Sequence, residues 1–328
     1  MQYSKAERDG GLGVRPDAFR VLSSLLLRGT IGDLPTSHGT PERASLLERR
    51  GSRGPEPGEH ERLFEQVPPV ASVFLEVDGS AGGDVSATMA RRLRAAGLPE
   101  AVGTPPDHLG HELALLASLM EQDRARIDTP GDEPGPDDRP GQLLAFLDGH
   151  LLWWLPPLVS TLLRHASPYW CEVSEAILHL VVEQRCALVG NHAPVAQVPW
   201  NLMGLPPDPL EDPRVGVREI AIFLVHPVRS GLYLSDDETR ALAHKHRRPE
   251  GGPPSQILES ALHSAVAYGG IETICERLRI IASDTIRSLT EARLEKGVDG
   301  GFLDPWLRRL DRTRGMLARM RSGEGPFL

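Results

Sequence analysis

The chain has 328 residues, of which 40% are hydrophobic and 25% are charged, and its formal net charge is −9. This composition is typical of a globular protein with a sizeable core, and the acidic charge argues against nucleic-acid binding, which needs a cationic surface. The three cysteines, Cys171, Cys186 and Cys275, are far apart and form no CxxC pair, so neither a disulfide framework nor a zinc ribbon is indicated. We therefore expect a protein of the reducing cytoplasm without a resident cofactor.

Helical periodicity dominates the first half of the chain. Apolar residues recur every three or four positions, and no segment alternates convincingly as a strand would. Residues 1–15 are expected to form a flexible leader, and no apolar run reaches the ~20 residues of a membrane span. The connection 28–58 is rich in glycine and proline, and we expect it to be mobile, with a short helix at 41–50. Helices are predicted over 16–27, 59–67, 84–98, 104–127, 142–155, 158–166 and 168–188.

Two of these helices have recognisable ends. Gly97 follows an apolar face in the segment 84–98 and is expected to end that helix in a left-handed conformation. At the other helix, Pro105, Pro106 and Asp107 are typical of a helix start, because proline suits the first turn and a carboxylate suits the positive end of the helix dipole. The acidic, proline-rich loop 128–141 that follows this helix is predicted to be exposed.

The segment 142–157 is dense in aromatic residues. Pro156 and Pro157 are expected to break or kink its helix, because the residue before a proline avoids the α-helical region. The adjacent Trp153 and Trp154 are not both expected to point inward from one helix, so at least one should line a groove or the surface.

The second half of the chain is also predicted to be mostly helical. A proline-punctuated connection covers 189–214, and periodicity leaves helix and strand both open for the apolar segment 219–234. Ser235 and Glu238 form a capping-box pattern that marks a helix start. Further helices are predicted over 255–270, from residue 271 onward, and over 303–320, where the pattern is basic and amphipathic.

A metal site is one interpretation of the histidine-rich helix start. His108, His111 and Glu112, together with His150, are residue types that bind metal ions. Their order is H-x-x-H-E, however, whereas the zinc-protease motif places two histidines four residues apart. Because no further ligand cluster has matching spacing, we favour partly buried polar residues at a helix end. Phosphate-binding, dinucleotide-binding and nucleophile-elbow motifs are also missing from the sequence, so we expect a protein without catalytic residues.

Two segments together resemble the TorD/DmsD/NarJ family of cytoplasmic chaperones for molybdoenzymes. The family pattern is a Pro-Asp-His-Leu helix start, a loop, and then a helix with Phe, His-Leu, Trp and Pro. The matching residues in this chain are Pro106, Asp107, His108, Leu109, Phe146, His150, Leu151, Trp154 and Pro156. The segments 61–64 and 67–98 are also similar to the family. Val70 and Ala71 stand where many members carry Tyr-Glu; if those positions contact the client, this protein's client or contact differs.

The resemblance implies an all-α fold, a TorD-like helical bundle over 16–188 with an additional mostly helical C-terminal extension over 189–328. It implies a redox-enzyme maturation chaperone that binds the twin-arginine signal peptide and the apo form of a molybdopterin-dependent oxidoreductase. The chaperone would hold this catalytic subunit for cofactor insertion before export. Relatives also form domain-swapped homodimers, and the long connection 189–214 would permit such an exchange.

We expect the client peptide to be bound by one set of polar and apolar residues. The candidate client-binding residues are Asp107, His108, Leu109, Glu112, Phe146, His150, Leu151 and Trp154. Two alternatives stay open: a metal-dependent enzyme using His108, His111 and Glu112, and a helical scaffold or regulatory binding protein.

Overall fold

The computed structural model describes residues 14–29, 54–99, 103–128, 141–189, 198–244 and 252–323. The expected short helix at 41–50, most of the leader and most of the loop 128–141 lie outside these ranges. Within them the chain forms helices and no strand, and a single isolated bridge joins Val70 and His108. The all-α prediction is therefore confirmed.

Five helices come first in the chain, and Val70 and His108 of the bridge each stand directly before one of them. The five helices are α1 (Pro16–Arg28), α2 (Glu59–Gln66), α3 (Ala71–Leu75), α4 (Gly83–Ala95) and α5 (Leu109–Asp128). Gly97 ends α4 as predicted: its φ is +70°, and its N–H donates to Arg94 O while Leu98 N–H donates to Leu93 O, both at 3.0 Å. These two hydrogen bonds satisfy carbonyl groups that the last turn of a helix leaves open.

The central helix of the fold is α7. It follows α6 (Gln142–Phe146) and a π-helical turn (Leu147–Leu151), covers Leu152–His165, and precedes α8 (Pro168–Val189). The second half adds α9 (Val217–Val225), α10 (Pro227–Ser230), α11 (Asp236–His244), α12 (Pro254–Tyr268), α13 (Ile271–Glu295) and α14 (Gly300–Arg321). The undecided segment 219–234 is thus largely helical. The capping box at the start of α11 is also present, because Ser235 and Glu238 each bind the other's backbone N–H, at 3.0 and 3.1 Å.

Both adjacent tryptophans are buried, so the expectation that one lines a groove or the surface was wrong. Helix α7 packs against α3, α8, α13 and α14, which together enclose it. Trp153 packs edge-to-face on Phe302 of α14, with ring centroids 4.9 Å apart, while Trp154 lies beside Phe74 of α3 at 6.0 Å. The expectation assumed a helix with one exposed face, whereas α7 is buried on all sides from Leu152 to Leu162.

Pro156 and Pro157 do not end the helix either, and the two helices predicted on either side of them are one. Proline in a helix removes the N–H that would bind the carbonyl four residues earlier. At Pro157 this leaves Trp153 O open, and the indole N–H of Trp306 in α14 donates to it at 2.7 Å. The lost backbone hydrogen bond is thus replaced by a bond from the second half of the chain.

The two halves of the chain also meet at the end of α7. Arg164 donates to Thr285 Oγ1 at 3.0 Å and to Tyr233 O at 2.8 Å. Tyr233 in turn donates its hydroxyl to Gln66 O at 2.8 Å, at the end of α2. The proposed boundary between a chaperone domain and an extension at residue 189 therefore lies within a closely packed structure, and it stays a prediction.

Candidate functional site

Asp107 links the start of α5 to a neighbouring helix. Its carboxylate accepts the backbone N–H of Ser72 at 2.7 Å, and its carbonyl accepts the N–H of Ala71 at 2.9 Å. Both donors belong to the first turn of α3, whose N–H groups have no partner within the helix. The sequence placed Asp107 at the start of its own helix, but the carboxylate binds α3 instead. Asp107 is fully buried and therefore fixes how the segment before α5 packs against α3.

Glu112 is the centre of a buried polar network. Its side chain has no exposed surface. Its Oε1 lies 2.6 Å from His150 Nε2, and its Oε2 accepts the indole N–H of Trp154 at 3.1 Å. Burial raises the pKa of Glu112, and the contacts with His150 and Trp154 oppose that rise. The fold thus brings together three residues from α5, the π-helical turn and α7 that the sequence analysis had placed in the same site.

His108 is a neutral, buried ring. Its Nδ1 accepts the backbone N–H of Gly110 at 3.1 Å, and only 9% of the residue is exposed. Burial is the main cause that lowers the pKa of His108 to about 4, and the nearby His111 and His60 contribute in the same direction. Burial also lowers the pKa of His111, whose ring centroid lies 6.2 Å from that of His108.

The low pKa of His108 predicts a loss of stability in mild acid. An unfolded histidine takes up its proton near pH 6.5, whereas folded His108 does so only near pH 4. Above pH 6.5 the histidine is neutral in both states and does not reduce the stability of the fold. As the pH falls from 6.5 to 4, only the unfolded state takes up the proton, so the free energy of unfolding decreases. This difference corresponds to about 3 kcal/mol. We expect His108→Asn, whose side-chain oxygen still accepts from Gly110, to flatten this part of the stability profile.

The measurement is the free energy of unfolding in urea at intervals between pH 4 and 7.5. Other histidines with lowered pKa values, such as His111 and His226, titrate in both proteins. Only the difference between the two profiles therefore reports on His108. Parallel profiles would show that His108 is protonated in the folded protein at its ordinary pKa.

The apolar part of the site is equally enclosed. Phe146 stacks on His150 with ring centroids 5.7 Å apart, and the guanidinium of Arg92 lies 5.6 Å from the centroid of Phe146. Leu109 and Leu151 are buried in the same hydrophobic core. The structure therefore buries all eight of the candidate residues, and direct contact with a client requires this region to open.

Several polar atoms around the site have unused hydrogen-bonding capacity. Arg92 Nη1, Asp107 Oδ1 and His111 Nε2 are buried and have no hydrogen-bond partner among the described residues. Such atoms cost roughly 1–3 kcal/mol each when they stay unsatisfied. Sequence reasoning missed Arg92, although it lies three residues after Met89 and so borders the apolar face of α4.

Residues 58–160 match the family model described as nitrate reductase delta subunit. The match supports the NarJ/TorD-type chaperone family for this segment. No curated protein and no solved structure matches the chain. The family match contains the whole buried cluster, from Asp107 to Trp154, and confirms the resemblance that the sequence motifs indicated. Membership supports a role in molybdoenzyme maturation, in a family of chaperones rather than enzymes.

Two further observations concern a metal site and a membrane-spanning helix. No three His, Cys, Asp or Glu residues in the described parts of the chain lie close enough together to hold a metal ion, so the metal-dependent alternative receives no support from the geometry. The expectation that no apolar run is as long as a membrane span was wrong, because the helical stretch Gln142–His165 is long and apolar enough to cross a membrane; 83% of its most apolar window is buried inside the protein. This stretch contains α7 and is the core of the fold.

Proposed function

We propose that the protein binds the twin-arginine signal peptide and the apo form of a molybdopterin-dependent oxidoreductase in the cytoplasm. It holds this catalytic subunit until the cofactor is inserted, after which export proceeds. The observation that carries the proposal is the family match over 58–160, which includes every candidate client-binding residue. The family implies a molybdoenzyme subunit as the partner. The signal peptide as the bound element is our proposal.

The physical chemistry of a twin-arginine signal peptide fits the candidate site. Such a peptide carries two arginines and an apolar stretch. Carboxylates form strong charge-assisted hydrogen bonds with guanidinium groups, and an apolar groove accepts a helical or extended apolar segment. Asp107 and Glu112 supply carboxylates, and Asp107 Oδ1 has no partner in the described part of the chain. Leu109, Leu151 and Trp154 supply apolar surface once they are uncovered.

Opening the site requires movement of an irregular part of the fold. The π-helical turn Leu147–Leu151 carries His150 and lies between α6 and α7. Single π-helical turns are less favourable than α-helix and occur often at functional sites. A shift of this turn separates His150 from Glu112, which frees the carboxylate for a peptide guanidinium. We propose that client binding and this rearrangement occur together.

The experiment is a calorimetric titration of the full chain with the twin-arginine signal peptide of the molybdoenzyme encoded nearest to it. We expect a Kd in the micromolar range, about −8 kcal/mol. Peptides with the arginine pair changed to alanine, or with the apolar stretch changed to serine, should lose binding. A chain that binds neither the signal peptide nor the apoenzyme would contradict the proposal and favour a scaffold or regulatory role.

The site assignment is tested by the double variant Asp107→Asn with His108→Asn. The asparagine at 107 still accepts the N–H of Ser72, so the cap of α3 is kept while the charge is removed. We expect affinity for the peptide to fall at least tenfold. The control is Asp84→Asn with His179→Asn, two exposed residues outside the cluster. Equal affinities in the two folded double variants would contradict the assignment.

A further inference from the structure

We propose a second peptide site outside the family segment, a cleft between α11, α13 and the end of α14. Its cavity volume is about 690 Å³, and ligand sites commonly measure about 300–1,000 Å³. The occupant is a peptide segment in which arginine stands beside apolar residues. That this segment belongs to the client's signal peptide rests on the proposed function. The residues of the cleft that carry the argument are Glu238, Glu272, Glu276, Ile280, Ile281 and Arg321.

The floor of the cleft is apolar and partly open to solvent. Ile280 is 53% exposed, although it lies in the middle of the long helix α13. Its neighbour Ile281 is half-buried and packs against the hydrophobic core, so the apolar surface is continuous from the core to the cleft. Covering exposed apolar side chains removes them from water, which favours a complex. The floor therefore favours an apolar side chain of a partner.

The rim already binds arginine within the protein. The side chain of Glu276 is 44% exposed. Its carboxylate accepts hydrogen bonds from Nη1 of Arg279 at 2.5 Å and from Nη1 of Arg321 at 3.0 Å. Glu272, one turn earlier on α13, has no ion-pair partner among the described residues. Exposed ion pairs contribute little to stability because water screens them. An incoming arginine can therefore pair with Glu272 and replace Arg321 at Glu276 at small cost.

The cleft leaves one of its glutamates, Glu272, for an incoming cation, because Glu238 and Glu276 already contact arginines of the protein. Three glutamates line it, against the two arginines Arg277 and Arg321. Glu238 is held in place by the end of α7, where His165 Nε2 lies 3.2 Å and Arg164 Nε lies 3.5 Å from its carboxylate oxygens. The cleft is thus fixed to the helix that carries Trp154. It gives a basic and apolar segment an exposed place to dock while the buried cluster is closed.

The test is fluorescence anisotropy of the full chain with the labelled signal peptide, using Glu272→Lys and Ile280→Ser. The matched controls are Glu291→Lys, which makes the same change, and Leu294→Ser, which replaces a leucine instead of an isoleucine; both positions are exposed and lie further along α13. We expect each cleft variant to raise Kd at least tenfold and each control to change it less than twofold. Circular dichroism melting curves confirm that all four variants fold.

A second labelled peptide separates this proposal from the proposed function. It has the same composition in scrambled order and keeps arginines next to apolar residues. Binding of both peptides with equal Kd in cleft and control variants would overturn the cleft. If only the scrambled peptide binds, and Glu272→Lys weakens it, the cleft stands and the signal-peptide function fails. Binding of neither peptide to the unchanged protein would overturn both.

Discussion

Glu112→Ala is expected to lower the free energy of unfolding by about 3–5 kcal/mol, the usual cost of removing one partner from a buried charged or hydrogen-bonded network. The carboxylate is fully buried and binds His150 and Trp154 at once. Alanine leaves both groups without an acceptor and opens a cavity at the centre of the family segment. Because a typical domain is stable by only about 5–15 kcal/mol, the variant loses a large share of its stability.

Urea unfolding followed by tryptophan fluorescence measures this loss. Glu112→Gln is the control, because its amide oxygen can still accept from Trp154 while its nitrogen can donate to an unprotonated His150 Nε2. We expect the glutamine variant to lose about 1 kcal/mol, the net contribution of an ordinary hydrogen bond. Equal losses in the two variants would show that the charge of Glu112, rather than the hydrogen bonding, stabilises the fold.

Asp148→Ala should have a comparable effect through a second buried pair. Asp148 Oδ1 and Oδ2 accept from Arg185 Nε at 2.6 Å and Nη2 at 3.1 Å, and both side chains are about 5% exposed. Removing the carboxylate leaves a buried guanidinium whose remaining acidic neighbour, among the residues that the structure describes, is Asp299 at 4.0 Å. We expect a loss of about 3–5 kcal/mol, because burying an unpaired charge is costly.

The matched control for this pair is Asp284→Ala. Asp284 and Arg287 form an equally short ion pair, 2.7 Å, but both side chains are exposed. Exposed pairs contribute about 0–1 kcal/mol, so the control should change the urea midpoint very little. High salt should weaken the exposed pair further and leave the buried one unaffected. Similar losses for Asp148→Ala and Asp284→Ala would mean that Arg185 finds another partner in the variant.

Local patterns in the sequence predicted most helices and several of their ends. Gly97 and the pair Ser235 and Glu238 determine helix ends through hydrogen bonds between close neighbours, which spacing alone reveals. The set of candidate client-binding residues likewise placed Glu112, His150 and Trp154 together. Local patterns did not indicate that these residues are closed off from solvent, since burial depends on all the elements that pack around them.

The errors arose where a distant part of the chain decides the outcome. Trp153 is buried because α14 packs over it. The sequence of residues 142–157 contains no pattern that predicts this contact with a distant helix. Asp107 binds the N–H of Ser72, 35 residues away, rather than its own helix. The ion pair of Asp148 and Arg185 joins residues 37 positions apart. Each contact is specific in three dimensions but has no signature in the spacing of the sequence.

The hydrogen bond from Trp306 to Trp153 O has a consequence for biosynthesis. Its two residues are 153 positions apart. Because Pro157 has no backbone N–H, the carbonyl of Trp153 has no hydrogen-bond donor until Trp306 has been synthesised. At a synthesis rate of about 5–20 residues per second, the donor is made roughly 8–30 s after the acceptor. During that interval α7 emerges without α14 and exposes its tryptophans. The nascent protein therefore carries an uncovered apolar helix until the residues of α14 have been made.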